Sequence, residues 1–290
     1  MKLGTTDDGA AVLVDGEHFV ALRSATGAPV SMLEVIEAES AQPGAAAAMA
    51  ARGDTENAVP LGRLVAPIPL PGAVVAAPVN YLDHMVEMSE VRDIRHLGVF
   101  LKARSSVTGP GSVVRLPYSD RRFDYEGELG VVIGTTALNV GTADALDHVF
   151  GYTCLLDITM RGGEDRSTRK SFRTFTPTGP HIVTSEEIGD PTDLEIVLEV
   201  NGVERQHAST KEMVWSVAEL ISYASSVMTL YPGDIIASGT PVGVGPIDDG
   251  DVLDLSIDRI GTLHVSVSGE GAVPCPTLGA GEGPVPPPPR

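Results

Sequence analysis

The amino-acid sequence predicts an α+β, β-rich fold: an antiparallel or mixed β core with helices on its flanks. Three observations carry this expectation. Six apolar runs of strand length, AVVAAPV, GELGVVIG, LEIVLEV, GDIIASG, VLDLSI and TLHVSV, recur between residues 72 and 268. Turns separate them, without the regular strand–helix alternation that builds a parallel sheet. Finally, 32 Gly and 22 Pro with only 4% aromatics call for short elements and many turns, not a long helical bundle.

Taken in order, residues 1–65 read as a small N-terminal domain. VLVDGEHFVAL places an acidic Asp-Gly turn between two apolar pieces, the pattern of a hairpin. SMLEVIEAESAQ has helical spacing, and the Ala-rich stretch AQPGAAAAMAARGD reads as a helix bounded by Pro and Gly. APIPLPG, ending at Gly72, carries three prolines in seven residues and reads as an extended connector. The main domain then runs from 72 to 268. Its one long helical pattern, KEMVWSVAELISYASSVMTL, stops at Pro232-Gly233. Residues 274–290 are Pro/Gly-rich without periodicity and are expected to be a disordered tail.

A formal charge of −19 argues against nucleic acid or an anionic membrane surface as partner. Cys154 lies in an apolar run and Cys275 in the tail, so a structural disulfide is not expected. The first twenty residues lack the apolar core of a signal peptide, and no run approaches the ~20 apolar residues that span a bilayer. A cytoplasmic location is the expectation.

Chemistry concentrates in five places. In Asp124-Tyr125-Glu126-Gly127-Glu128, Glu126 and Glu128 are two apart and share one face of a strand. Neighbouring carboxylates repel unless one is protonated or a cation lies between them, and oxygen donors suit Mg²⁺ or Mn²⁺. The same pattern also fits the solvent face of a half-exposed strand. Asp157 ends the apolar run VFGYTCLLD, where a lone charge is expensive to bury, although it could equally cap a turn. His84 and Glu87 stand three apart on a helical turn, the spacing of a carboxylate-oriented general base and also of a surface ion pair. Residues 161–173 carry five basic and two acidic side chains, either a loop that grips an anion through Lys170 or an arginine, or a solvated loop. Around Thr240, SGTPVGVG lets backbone approach a ligand closely, while the GxxxxGK[ST] and GxGxxG nucleotide patterns are missing.

Together with FLKARSSVTGPGSVV, KSFRTFTPTGPHIVT and the VNG at 200–202, these blocks occur in an order and spacing that resembles the fumarylacetoacetate hydrolase superfamily, in particular its acylpyruvase and fumarylpyruvate hydrolase branch. The resemblance covers residues 72–268, and the leading unit is similar to that family's small N-terminal domain. It implies a mixed β-sandwich roll with flanking helices, usually dimeric. It implies a divalent Mg²⁺ or Mn²⁺ held by Glu126, Glu128 and Asp157, with His84 and Glu87 as a water-activating dyad. It implies Lys170 as a catalytic contact to the substrate or its developing enolate, and Tyr81, Arg161, Glu164 and Thr240 as substrate-binding positions. The activity implied is C–C bond hydrolysis of a small anionic keto acid, with decarboxylation, tautomerisation or lyase chemistry on the same enolate as the alternative, and a non-catalytic descendant of the family as a rival of another class. Where the family's SARDxQ pattern falls, this chain reads Thr159-Met160-Arg161-Gly162-Gly163-Glu164, with Gly162 in place of its aspartate and Glu164 in place of its glutamine.

Overall fold

A computed structural model describes residues 1–16, 18–53, 59–60 and 64–287. Glu17 in the turn of the expected hairpin, Asp54 at the end of the Ala-rich stretch and the last three residues of the tail lie outside the described residues.

The chain builds a mixed, β-rich architecture in which all six apolar runs form strands. A twelve-stranded sheet follows the order Val59–Pro60, His18–Ala21, Ala11–Asp15, Lys2–Thr6, Thr176–Thr184, Val149–Leu156, Gly127–Ile133, Ile235–Ala237, Val74–Ala76, Phe100–Lys102, with two short strands off this path. A five-stranded sheet orders Val203–Ser209, Glu195–Val200, Val252–Ile257, Gly261–Ser268 and Val113–Arg115. Most pairings are antiparallel, but Ile235–Ala237 runs parallel to Val74–Ala76 and Gly261–Ser268 parallel to Val113–Arg115.

The central strand Gly127–Ile133 explains its own composition. Leu129, Val131 and Ile133 face the five-stranded sheet and pack in one core with Leu198, Leu255 and Leu263. Val132 points the other way, into a second core with Ile36 and Val35 of the helix Met32–Ala41. Because both faces are covered, residues 129–133 of this strand show no alternation of apolar and polar side chains. Each fully buried aliphatic side chain contributes about 1.5–3 kcal/mol, so these two cores fix the sheet on which the functional groups stand.

Two features differ from the sequence pattern. The leading unit continues the main sheet: Lys2–Thr6 pairs antiparallel with Thr176–Thr184, Leu3 opposite Ile182, and the Met1 ammonium donates to Thr184 Oγ1 at 2.6 Å. The long helical pattern yields a helix only over Val217–Val227, because Ser216 and Glu219 form a capping box that starts it there. Upstream, Thr210–Glu212 is a 3₁₀ turn, and Met213 bridges Tyr81. Among the described residues no helix is long and apolar enough to cross a membrane.

Candidate active site

The pleat of two adjacent strands brings three carboxylates together. Glu128 lies opposite Leu155 in the ladder between Gly127–Ile133 and Val149–Leu156. One step beyond that ladder, the Asp157 amide donates to the Glu126 carbonyl at 2.8 Å. Residues 126 and 128 and, opposite them, 157 and 155 therefore share a parity and a face, with Glu126 and Asp157 one residue outside their strands. One carboxylate oxygen from each of Glu126, Glu128 and Asp157 lies within 4.8 Å of the others, and all three residues are buried.

Cations surround this cluster. Lys170 Nζ donates to Glu126 Oε2 and Asp157 Oδ2, both at 2.6 Å, and to Thr159 Oγ1 at 2.7 Å. Lys102, fully buried at the end of Phe100–Lys102, donates to the other Asp157 oxygen and to the Phe175 carbonyl. Arg161 Nη2 reaches Glu126 Oε1 at 3.2 Å, while its Nε is held by Asp124 at 2.6 Å. Burial alone would raise the Glu126 carboxyl, but Lys170 and Arg161 outweigh it and hold it at about 2. Glu128 goes the other way. Burial, followed by the negative charge of Asp157, pushes it well above the usual carboxylate range. Its hydrogen-bond partner is the Gly239 amide at 2.8 Å.

That asymmetry tests whether a metal ion suits the site. The donors are hard oxygens of the type Mg²⁺ and Mn²⁺ take, and Glu128 is a buried carboxylate with no cationic hydrogen-bond partner among the described residues. A divalent cation would supply the missing countercharge, so the residues present fit one.

Across the pocket stands the dyad. Tyr81 begins the helix Leu82–Glu87, which carries His84 and Glu87 on one face. His84 Nδ1 and Glu87 Oε2 are 2.8 Å apart, and Glu87 Oε1 accepts from the Gly243 amide at 3.0 Å. With Nδ1 donating to a carboxylate, Nε2 is the nitrogen left to accept a proton.

The pocket is lined by His84, Glu126, Glu128, Arg161, Lys170 and Thr240, together with Phe100, Glu90, Arg166, Arg169 and Pro284 among others. Thr240 is held from behind: Gln206 Nε2 donates to its hydroxyl at 2.8 Å, while Gln206 Oε1 accepts from the Gly127 amide at 2.8 Å. Two expected substrate contacts are elsewhere. Glu164 is bound by Arg121 and Thr277 and does not line the pocket. Tyr81 is 2% exposed beneath it, where burial and then the charge of Glu128 raise its phenol. The pocket is also lined by Arg169, 7% exposed, whose Nε and Nη1 have no hydrogen-bond partner among the described residues. Arg166 and Lys102 likewise escape a reading of spacing alone. The only sign of the arginines is the local excess of positive charge in residues 161–173.

On a mixed β fold, one pocket thus combines a buried carboxylate triad suited to a divalent cation with an imidazole held by a carboxylate. Residues 73–268 match the fumarylacetoacetate (FAA) hydrolase C-terminal family, and the chain belongs to that family. It is 45% identical over 216 residues to maleylpyruvate hydrolase of Aquipseudomonas alcaligenes, covering 71% of this chain and 75% of that protein. It is 43% identical over 215 residues to the oxaloacetate tautomerase YisK of Bacillus subtilis, covering 69% and 71% of the two chains. Its fold also matches a crystal structure of maleylpyruvate hydrolase from Sphingobium sp. SYK-6 in complex with manganese(II) and pyruvate. There the TM-score is 0.81 and the identity 37%, over 93% of this chain and 99% of that one.

Proposed function

We propose that this enzyme hydrolyses a C–C bond in a small acylpyruvate or related 1,3-diketo acid. The observation that carries the reading is the face-to-face arrangement of the Glu126–Glu128–Asp157 triad and the His84–Glu87 pair around one pocket. Relatives named maleylpyruvate hydrolase, one of them complexed with manganese(II) and pyruvate, support the substrate class and a divalent ion such as Mn²⁺.

A divalent ion held by the three carboxylates would act as a Lewis acid toward paired substrate oxygens. The chain's own groups do the rest. His84 Nε2 takes a proton from water, and Glu87 stabilises the resulting imidazolium through Nδ1. The hydroxide formed attacks the acyl carbonyl. As the C–C bond breaks, its electron pair stays on the pyruvate methylene carbon, which is reprotonated from the imidazolium. Lys170 and Arg161 contribute fixed positive charge where negative charge develops. Arg169 offers unpartnered N–H groups to a substrate carboxylate, and Thr240, fixed by Gln206, presents an oxygen partner to the substrate.

The tautomerase relative favours a second reading, in which the same base moves a proton on a 2-oxo acid without adding water. Turnover of acylpyruvates and oxaloacetate with Mn²⁺ in ¹⁸O-water separates the two. Hydrolysis places solvent oxygen in the new carboxylate of the released acid. Turnover with no such incorporation would replace hydrolysis by isomerisation.

A further inference from the structure

The end of the chain builds part of the active site. Pro284 lines the pocket together with His84, Glu126 and Arg169. What brings it there is a latch against the turn 162–164. Arg121 Nη2 donates to Glu164 Oε1 at 2.9 Å, to the Thr277 carbonyl at 2.8 Å and to the Thr277 hydroxyl at 2.7 Å. The Thr277 hydroxyl also donates to Glu164. The Arg121 side chain is 1% exposed and that of Glu164 11%, so water screens the pair little. Beyond it, the Gly163 amide donates to the Gly279 carbonyl at 3.1 Å.

The contact is backbone against backbone. Gly283 has φ +78°, and a Cβ there would come within 2.6 Å of the Gly162 carbonyl oxygen. A Cβ on Gly162 would in turn meet Glu164 Oε2 at 2.2 Å and Arg121 Nη1 at 2.9 Å. At Gly283 only glycine permits both the backbone angle and the approach. A Pro/Gly-rich segment without an apolar face has little else to offset the entropy of ordering, so these contacts decide where it lies.

We propose that residues 274–287 are a latched wall of the active site that limits the length of the acyl group. This rests on the reading of the pocket as a keto-acid site. With Pro284 in place, the volume beside the carboxylates is about 50 Å³, whereas an apolar cavity that binds a benzene ring measures about 150 Å³. The docked segment therefore selects small substrates, and releasing it opens the pocket toward longer ones. Arg121, Glu164 and Thr277 are positioning residues: they act through Pro284 and touch no substrate themselves.

The test compares the full chain with Glu164→Ala, Gly283→Val and a chain ending at Val273, all loaded with Mn²⁺. Calorimetry measures the affinity for acylpyruvates of increasing acyl length, and hydrogen exchange follows the amides of Gly163 and Glu282. The expected result is loss of protection at both amides in the two point variants. All three altered proteins should bind the longer acids at least tenfold better relative to acetylpyruvate than the full chain does. Unchanged protection in both point variants, or an unchanged length profile in the shortened chain, overturns the proposal. If none of the four proteins binds any 2-oxo acid, the keto-acid reading falls and the length-limiting role with it. Exchange then shows separately whether the latch exists.

Discussion

Glu87 is fixed by Gly243: the Gly243 amide donates to Glu87 Oε1 at 3.0 Å, leaving Oε2 for His84 Nδ1 at 2.8 Å. This contact ties the helix Leu82–Glu87 to the loop after Ile235–Ala237, 156 residues away. It also dictates what an amide would do in the same place. In Glu87→Gln the side-chain oxygen must keep accepting from Gly243, so the NH₂ group turns to His84 Nδ1. Nδ1 becomes an acceptor, the proton moves to Nε2, and the base is blocked. Glu87→Gln should lower kcat about 10²–10⁴-fold, the usual contribution of a general base, with little change in substrate affinity. Steady-state kinetics with Mn²⁺ checks this, and wild-type kcat in the variant would remove the dyad from the chemistry.

Glu128 gives the metal prediction its sign. In the metal-free protein it is a buried carboxylate, raised by burial and by Asp157 and accepting a hydrogen bond from Gly239. Glu128→Gln keeps an acceptor for that amide and removes the unfavourable charge, so without metal the variant should melt no lower than the wild type. A ligand that binds only the folded state at a hundred times its Kd adds about 2.7 kcal/mol. The wild type should therefore gain thermal stability with Mn²⁺ and Glu128→Gln should gain much less. Equal Mn²⁺-induced shifts in Tm, read by calorimetry, would place the ion elsewhere.

The site was legible in the sequence where local geometry sets it and illegible where long-range packing does. Spacing of two put Glu126 and Glu128 on one face, and spacing of three put His84 beside Glu87. Both relations follow from element periodicity and appear in the structure. The register that brings Asp157 beside Glu126 is fixed by the ladder with Val149–Leu156, which no local pattern encodes. Lys102 reaches Asp157 across 55 residues, and nothing in FLKA distinguishes it from a surface lysine. The capping box at Ser216 and Glu219 is a local signal that sets the helix start against helical spacing continuing upstream of it. The tail was the reverse case, since its composition predicts no order and its position depends on Arg121 and the turn 162–164.

Arg169 combines a cost to stability with a use in binding. Its guanidinium is buried, burial lowers its pKa, and Nε and Nη1 lack partners among the described residues. A carboxylate placed there forms charge-assisted hydrogen bonds worth about 1.5–3 kcal/mol, or roughly 10- to 150-fold in affinity. Arg169→Met should weaken binding of a dicarboxylic keto acid by that factor and leave pyruvate affinity nearly unchanged. The same change should raise the metal-free Tm, because a polar group without partners leaves the interior. An identical loss for mono- and dicarboxylic acids in calorimetry would assign Arg169 to the shared keto-acid end.

His181 sets an acid limit on the fold. It is 8% exposed on Thr176–Thr184, beside the leading strand, with Nε2 unpartnered among the described residues. Burial, and then the nearby positive charge of Lys2, depress its pKa from 6.5 to about 4. Above pH 6.5 the ring is neutral both folded and unfolded and contributes no pH dependence. Between 6.5 and about 4 only the unfolded chain takes up the proton, so stability falls as the pH falls. At pH 5 this one group costs about 2 kcal/mol relative to neutral pH. His181→Gln, which cannot take up a proton, should flatten the dependence. Urea midpoints at pH 7.5 and 5 give the comparison. If the variant loses as much stability as the wild type between them, the acid sensitivity belongs to other groups, and the junction between the leading strand and the main sheet is not where protons act.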